Sequence, residues 1–210
     1  MTRSAFRGFF RTSLAFSGAV LAWAAPGTAA NAAVPVEVSH DAPAGARADA
    51  ARGCVIVYFD LGETLVHTAE DSSISYMPGA AAYLRELRKR NIEVGLITNV
   101  PSSWGETDAE RAAALKKEVD RAWKGSAPFA WEDFDDRILT PRTEAERKPA
   151  PALWERARAD ANGCRLVYEA ETAEETAVAA SVCYVAYQVG QPSRPTYLPA
   201  RVIERLTHRS

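Results

Sequence analysis

The chain carries no excess of charge of either sign. Its 25 Lys and Arg against 27 Asp and Glu leave a formal charge of −2, so nothing electrostatic recruits nucleic acid. It has no apolar run of the roughly 20 residues a bilayer span needs, no internal repeat and no low-complexity tract. With 47% hydrophobic and 25% charged residues, these absences exclude a disordered tail, a collagen-like fibre and a polytopic membrane protein. What remains is a soluble folding domain.

Acidic residues are missing altogether from residues 1–32, which contain Arg3, Arg7 and Arg11. An apolar run from Leu14 to Ala25 follows, then the helix breaker Pro26-Gly27 and the small residues TAANAA. A basic segment, a short apolar core and an Ala-x-Ala site (Ala30-Asn31-Ala32) are the parts of a secretory signal peptide. There is no twin-arginine pair. The expectation is export to the periplasm or beyond, with membrane contact only during export; the alternative is an uncleaved N-terminal anchor. Residues 33–52 are rich in Ala and Pro without a sustained period and read as a linker, with His40 a solvated side chain. The folding domain is expected over 53–210, long enough for one sizeable core.

From residue 53, strand and helix patterns alternate. Val55 to Phe59 is a continuous β-branched and aromatic run, as in a strand buried on both faces. Strands are further expected at 92–98, 137–140, 165–168 and 182–189. Helices are expected at 79–90, from the capping box Thr107-x-x-Glu110 to about Lys124, at 151–161, at 173–181 and at 199–207. This alternation predicts an α/β fold, a Rossmann-like parallel sheet with helices on both faces. In such sheets ligands bind beyond the carboxyl ends of the strands.

Those ends carry polar residues in a telling order. Strand one ends in Asp60 (FDLGETLV), strand two in Thr98-Asn99 (GLITNVP), Lys148 opens KPAPALWERA before a helix, and strand four runs into Glu171 and Glu175 (YEAETAEETAVA). A carboxylate attacks phosphorus and carries an acyl-phosphate. A hydroxyl and an ammonium neutralise phosphoryl oxygens, and an acidic pair offers oxygen ligands to Mg²⁺. Phosphoryl transfer asks for little beyond positioning and charge neutralisation.

At these residues the chain resembles the haloacid dehalogenase-like (HAD) hydrolase superfamily, over about residues 55–190. FDLGETLV is similar to its first motif, LITN to the second and KPAPALWERA to the third, the last two matching in order, spacing and strand context. The resemblance implies a Rossmann-like sheet, an aspartyl-phosphate intermediate on Asp60, Thr98 and Lys148 as catalytic partners, and Mg²⁺ held by Asp60, the Gly62 carbonyl, Glu171 and Glu175. The substrate would be a phosphorylated compound.

Two positions depart from the family. Its first motif has a second aspartate two residues after the nucleophile, acting as general acid and base; here that residue is Gly62, and no side chain moves a proton. Glu63 and His67 are nearby, yet neither occupies the family's position. The fourth motif usually reads Gly-Asp with another Asp three or four residues on, and here Glu171 and Glu175 replace it. Thr172-x-x-Glu175 is itself a capping box, which offers Glu175 a purely structural role. Family members often insert a cap domain, but residues 67–76 and the stretch from Thr98 to Lys148 are too short or too occupied for one. Such an open site suits a larger or exposed phosphoester, or a protein surface.

Two functions follow: an exported Mg²⁺-dependent phosphohydrolase, or a catalytically degenerate HAD-like domain that binds or scaffolds. A response-regulator receiver also combines Asp, Thr and Lys, but its acidic pair precedes the phosphorylated Asp, unlike here. Trp104, Trp123, Trp131 and Trp154 read as packing residues. The resemblance also makes strands one and four neighbours, with Cys54 and Cys164 at their entry ends. A disulfide between them is expected, with Cys183 a buried thiol; three unpaired core cysteines are the alternative.

Overall fold

The computed structural model describes residues 53–208; the expected signal peptide and linker, with His40, lie outside the described residues. Five strands form a parallel sheet: β1 (Val55–Phe59), β4 (Glu93–Ile97), β5 (Ile138–Leu139), β6 (Arg165–Ala170) and β7 (Val185–Gln188), in the order β5-β4-β1-β6-β7. Every residue of β1 is buried, because side chains alternate between two covered faces. Val55, Val57 and Phe59 meet α1 (Ala80–Lys89), α2 (Asp108–Ala122) and α5 (Ala200–Glu204) through Leu84, Leu87, Leu115, Val119 and Ile203. Ile56 and Tyr58 meet α3 (Ala152–Asp160) and α4 (Ala173–Ser181) through Leu153, Trp154, Ala157 and Ala179. This is the Rossmann-like α/β arrangement expected. Gly95 makes room for it: a Cβ there would stand 2.4 Å from the Tyr58 ring.

The remaining strands, β2 (Val66–Thr68) and β3 (Ile74–Tyr76), form an antiparallel hairpin that the sequence reading treated as a plain connection. Its turn is closed by Asp71, whose Oδ1 accepts from the Ser73 N–H at 2.9 Å, with Ser72 at φ 68°. Tyr76 stacks on Phe129 and meets Trp123 edge-on, and the Lys124 N–H donates to the Ile74 carbonyl at 2.8 Å. The hairpin is thereby bolted to the end of α2. Trp131 joins the same aromatic group and Trp154 is fully buried, so these tryptophans are packing residues as expected.

The expected strand 182–189 begins only at Val185, since Cys183 lies in a turn at φ 72° after α4. Its thiol is therefore exposed rather than buried. Other bounds also differ from the expectation: the strand expected at 165–168 runs on through Glu169 to Ala170, and the α-helix expected to reach 207 ends at Glu204.

Cys54 and Cys164 are joined by a disulfide, with Cα atoms 4.7 Å apart. The pairing follows from the sheet, in which Val55 lies opposite Arg165. The bond closes a loop with a sequence separation of 110, worth about 4–5 kcal/mol in the chain-entropy account.

Glu169 sits in β6 with no exposed surface. The Leu198 N–H donates to its Oε2 at 3.0 Å, and the Tyr83 hydroxyl lies 2.6 Å from both its Oε1 and the Leu198 carbonyl. One O–H serves one of these two acceptors, whereas a protonated Glu169 donating to Tyr83, which donates on to Leu198, uses every hydrogen. Burial pushes the carboxyl from 4.5 up to about 8, against the opposing bonds from Tyr83 and Leu198. A raised carboxyl binds a proton in the folded state that the unfolded chain has lost, so its contribution is complete below about 4.5 and disappears as pH rises through about 8. Glu169→Gln keeps the same bonding pattern without titrating. Urea unfolding at pH 5 and pH 8 is expected to show the variant gaining on the wild type as pH rises; the opposite trend would contradict a neutral Glu169.

Candidate active site

The chain direction across the sheet reverses beside β1: β4 and β5 lie on one side and β6 and β7 on the other. Ligands of open α/β sheets bind at such a reversal, outside the strands' carboxyl ends. Asp60 leaves β1 there, still in the ladder, its N–H donating to the Glu169 carbonyl at 3.0 Å. The following turn is pulled in by Leu61 and Leu65, both fully buried. The Leu65 and Val66 N–H groups donate to the Leu61 carbonyl, and the Glu63 N–H to the Val66 carbonyl. These bonds form the Gly62–Val66 bridge and leave the Gly62 carbonyl out of it.

Lys148 is brought to Asp60 from across the sheet. Asn99, just beyond β4, clamps the lysine's backbone on both sides: its Nδ2 donates to the Lys148 carbonyl at 3.2 Å and its Oδ1 accepts from the Lys148 N–H at 2.9 Å. The ammonium then donates to Asp60 Oδ1 at 2.5 Å, Glu175 Oε2 at 2.8 Å and the Tyr168 hydroxyl at 3.2 Å. Three hydrogens meet three acceptors. Tyr168 in turn donates to Glu175 Oε2 at 2.6 Å.

Glu175 resolves the choice between cap and site. Thr172 does cap α4, accepting from the Glu175 N–H at 3.3 Å. The Glu175 carboxylate does not complete the box as Glu110 does at α2; its Oε2 turns to Lys148 and Tyr168. Glu171 stands beside this network and is held by Thr64, whose hydroxyl donates to Glu171 Oε2 at 2.8 Å and accepts from the Glu171 N–H at 3.1 Å. Thr98 lies at the same edge, buried, one residue beyond Ile97, which follows the Phe59–Leu96 pair. It shares the edge but not the bonded network. Glu63 and His67 pair with each other at the exposed surface, His67 Nδ1 lying 2.9 Å from Glu63 Oε2.

Burial pushes the Asp60 carboxyl up to about 8; Lys148 opposes this, and the neighbouring Glu175 and Glu171 charges reinforce it. Desolvation works against the Lys148 ammonium, but Asp60 and Glu175 outweigh it and raise its pKa. Two carboxyl groups thus share one cation, and a third, Glu171, is near enough for its charge to act on Asp60. Among the described residues no group of three or more His, Cys, Asp or Glu side chains is gathered as a metal cage. The hard oxygens of Asp60 and Glu171 and the Gly62 carbonyl nonetheless suit Mg²⁺, which is bound through one or two carboxylates and keeps several waters.

Asn99, Tyr168 and Thr64 are bonded neighbours of the candidate site residues that sequence reasoning did not assign. Asn99 was visible as a polar strand end, and Thr64 lies inside the first motif. Tyr168 gave no signal, because a tyrosine in a buried strand reads as packing.

No family model matches the sequence, and none of the curated proteins matches it. Among solved structures, the chain is similar to a HAD-family enzyme from Bacteroides thetaiotaomicron, at 12% identity over 68% of this chain and 97% of that one, with a TM-score of 0.46. A mutant of that enzyme in complex with magnesium and inorganic phosphate gives 14% identity over 68% of this chain and 97% of its own, with a TM-score of 0.48. A HAD-superfamily hydrolase from Ehrlichia chaffeensis gives 11% identity over 74% of this chain and 97% of its own, with a TM-score of 0.46.

Removing one partner of a buried ion pair leaves the other charge uncompensated, at a cost of about 3–5 kcal/mol. Lys148→Met is therefore expected to lower the urea-unfolding free energy by about that amount. Unchanged stability would mean that the pair contributes nothing to the fold.

Proposed function

We propose that this protein is an exported, Mg²⁺-dependent phosphomonoesterase of the HAD type that works through an aspartyl-phosphate on Asp60. The observation that carries the reading is the Lys148 ammonium between Asp60 and Glu175 with Glu171 alongside. In their charged forms these groups leave a net deficit that a divalent cation balances. In this reading Asp60, the Gly62 carbonyl and Glu171 hold Mg²⁺, and Glu175 remains the counter-ion of Lys148. Bound there, the ion neutralises phosphoryl oxygens and favours the charged form of Asp60.

An Asp60 carboxylate oxygen bonds to phosphorus as the P–O bond to the alcohol breaks, and the alkoxide takes a proton from water. Water then attacks phosphorus as the bond between the Asp60 oxygen and phosphorus breaks, its proton passing to the hydroxide left by the first step, which releases inorganic phosphate and restores the carboxylate. Lys148 neutralises charge on the transferring group, and Thr98 supplies a hydroxyl at the same edge. The stretch after the first motif is taken up by the β2–β3 hairpin and the stretch from Thr98 to Lys148 by α2 and β5, which favours an open, capless site and an exposed phosphoester. The arginine-rich leader supports export, and the Cys54–Cys164 disulfide suits an oxidising compartment.

Gly62 favours a second reading, a degenerate domain that binds without turnover, because the general acid and base is missing and is worth about 10²–10⁴ in rate. A phosphoester screen of the purified protein, with Mg²⁺ and with chelator, separates the two. Mg²⁺-dependent release of phosphate is expected, and Asp60→Asn is expected to abolish it while the protein stays folded. Full activity in that variant would sink the mechanism. Gly62 does not use the left-handed backbone region, so a side chain is conformationally allowed. Gly62→Asp is accordingly expected to raise kcat by about 10²-fold or more; an unchanged kcat would mean that proton transfer does not limit turnover.

A further inference from the structure

The chain beyond β7 folds back over the carboxyl end of β6. The Val189 N–H donates to the Ala170 carbonyl at 2.9 Å, and Gln188 Nε2 donates to the Glu171 carbonyl at 2.9 Å. The Gly190 N–H donates to the Thr196 carbonyl at 3.3 Å, which closes the segment on itself. Leu198 is then tied on both sides, its N–H to Glu169 and its carbonyl to the Tyr83 hydroxyl. Between these anchors the Tyr197 ring stacks on Tyr83, with centroids 4.7 Å apart and planes at 12°. Its hydroxyl donates to the Thr64 carbonyl at 2.7 Å in a buried position.

Thr64 is the residue that orients Glu171. Its hydroxyl is used twice, as donor to Glu171 Oε2 and as acceptor from the Glu171 N–H. Both bonds require the Thr64 backbone to stand in one place, and the Tyr197 hydroxyl pins that backbone by its carbonyl. A glutamate loses considerable rotamer entropy when fixed, so its carboxylate is not held by default. Fixing Oε2 sets where Oε1 stands. The bonds therefore run from Tyr197 through Thr64 to Glu171, starting in a segment outside every motif that the family resemblance rests on.

We propose that Tyr197 is a positioning residue: acting through Thr64, it holds the Glu171 carboxylate in the orientation that a divalent cation beside Asp60 requires. This deepens the reading above and rests on it. Groups that orient metal ligands from behind are commonly worth 10–100-fold in metal affinity.

The test is Mg²⁺ affinity of the purified full chain by titration calorimetry, read independently of turnover, with far-UV circular dichroism and urea unfolding on each variant. Tyr197→Phe keeps the ring on Tyr83 and removes only the hydroxyl; it is expected to weaken Mg²⁺ binding about 10–100-fold. Thr64→Val is expected to weaken it at least as much. Thr64→Ser, which restores the hydroxyl, is expected to bind within a few-fold of wild type. If wild type binds Mg²⁺ and Tyr197→Phe binds equally well, the positioning role is overturned. An affinity loss that tracks unfolding in both Tyr197→Phe and Thr64→Val also overturns it. If wild type binds no Mg²⁺ at all, the reading of the site fails instead.

Discussion

The Lys148 ammonium, almost wholly buried, is the interaction on which the carboxyl edge of the sheet depends. It joins Asp60 after β1, Tyr168 in β6 and Glu175 in α4, and Asn99 after β4 holds its backbone. Two of these partners are carboxylates, and the attraction of both is what keeps the lysine charged where burial alone would discharge it. Burial, reinforced by the nearby Glu175 and Glu171 charges and opposed by Lys148, holds the Asp60 carboxyl far above the ordinary range. A cluster built this way is poor at stabilising itself, because desolvating its charges offsets much of their mutual attraction.

The pairing of β1 with β6 is the axis that separates stability from chemistry. At its entry end the Cys54–Cys164 disulfide locks the two strands. At its exit end the same two strands lead into Asp60 and Glu171, while Glu169, paired with Phe59, bonds to Tyr83 and Leu198. Alternation along a strand makes this division possible: Tyr168 faces Lys148 while its neighbour Glu169 faces Tyr83 and the C-terminal segment. One strand thus supplies the site on one face and anchors the chain that braces the site on the other.

Much of the fold was legible because strands and helices here are amphipathic or apolar with clear punctuation. Thr107 and Glu110 form the full capping box read from their spacing, and α4 spans 173–181 as expected. The hairpin at 66–76 was missed because each of its strands has three residues, too few to establish a period, and because its stability comes from Trp123 and Phe129 far along the chain. Cys183 was misplaced because a left-handed turn at a non-glycine residue leaves no local signature.

The sequence by itself placed polar residues just past strands at Asp60, Thr98 and Glu171, before α3 at Lys148 and in the first turn of α4 at Glu175, because its apolar runs break there; Glu169, buried within β6, shows that a strand need not stop at an acid. The sequence therefore named Asp60, Thr98, Lys148, Glu171 and Glu175 together. Only the tertiary structure decided what each one touches. The spacing Thr172-x-x-Glu175 is satisfied by a capping box in an isolated helix, but a buried ammonium 2.8 Å away takes the carboxylate instead. Tyr197 and Thr64 are 133 residues apart, and no local pattern connects them. Hydrogen bonds between distant segments are set by how the layers pack, which is a property of the whole chain and not of any stretch of it.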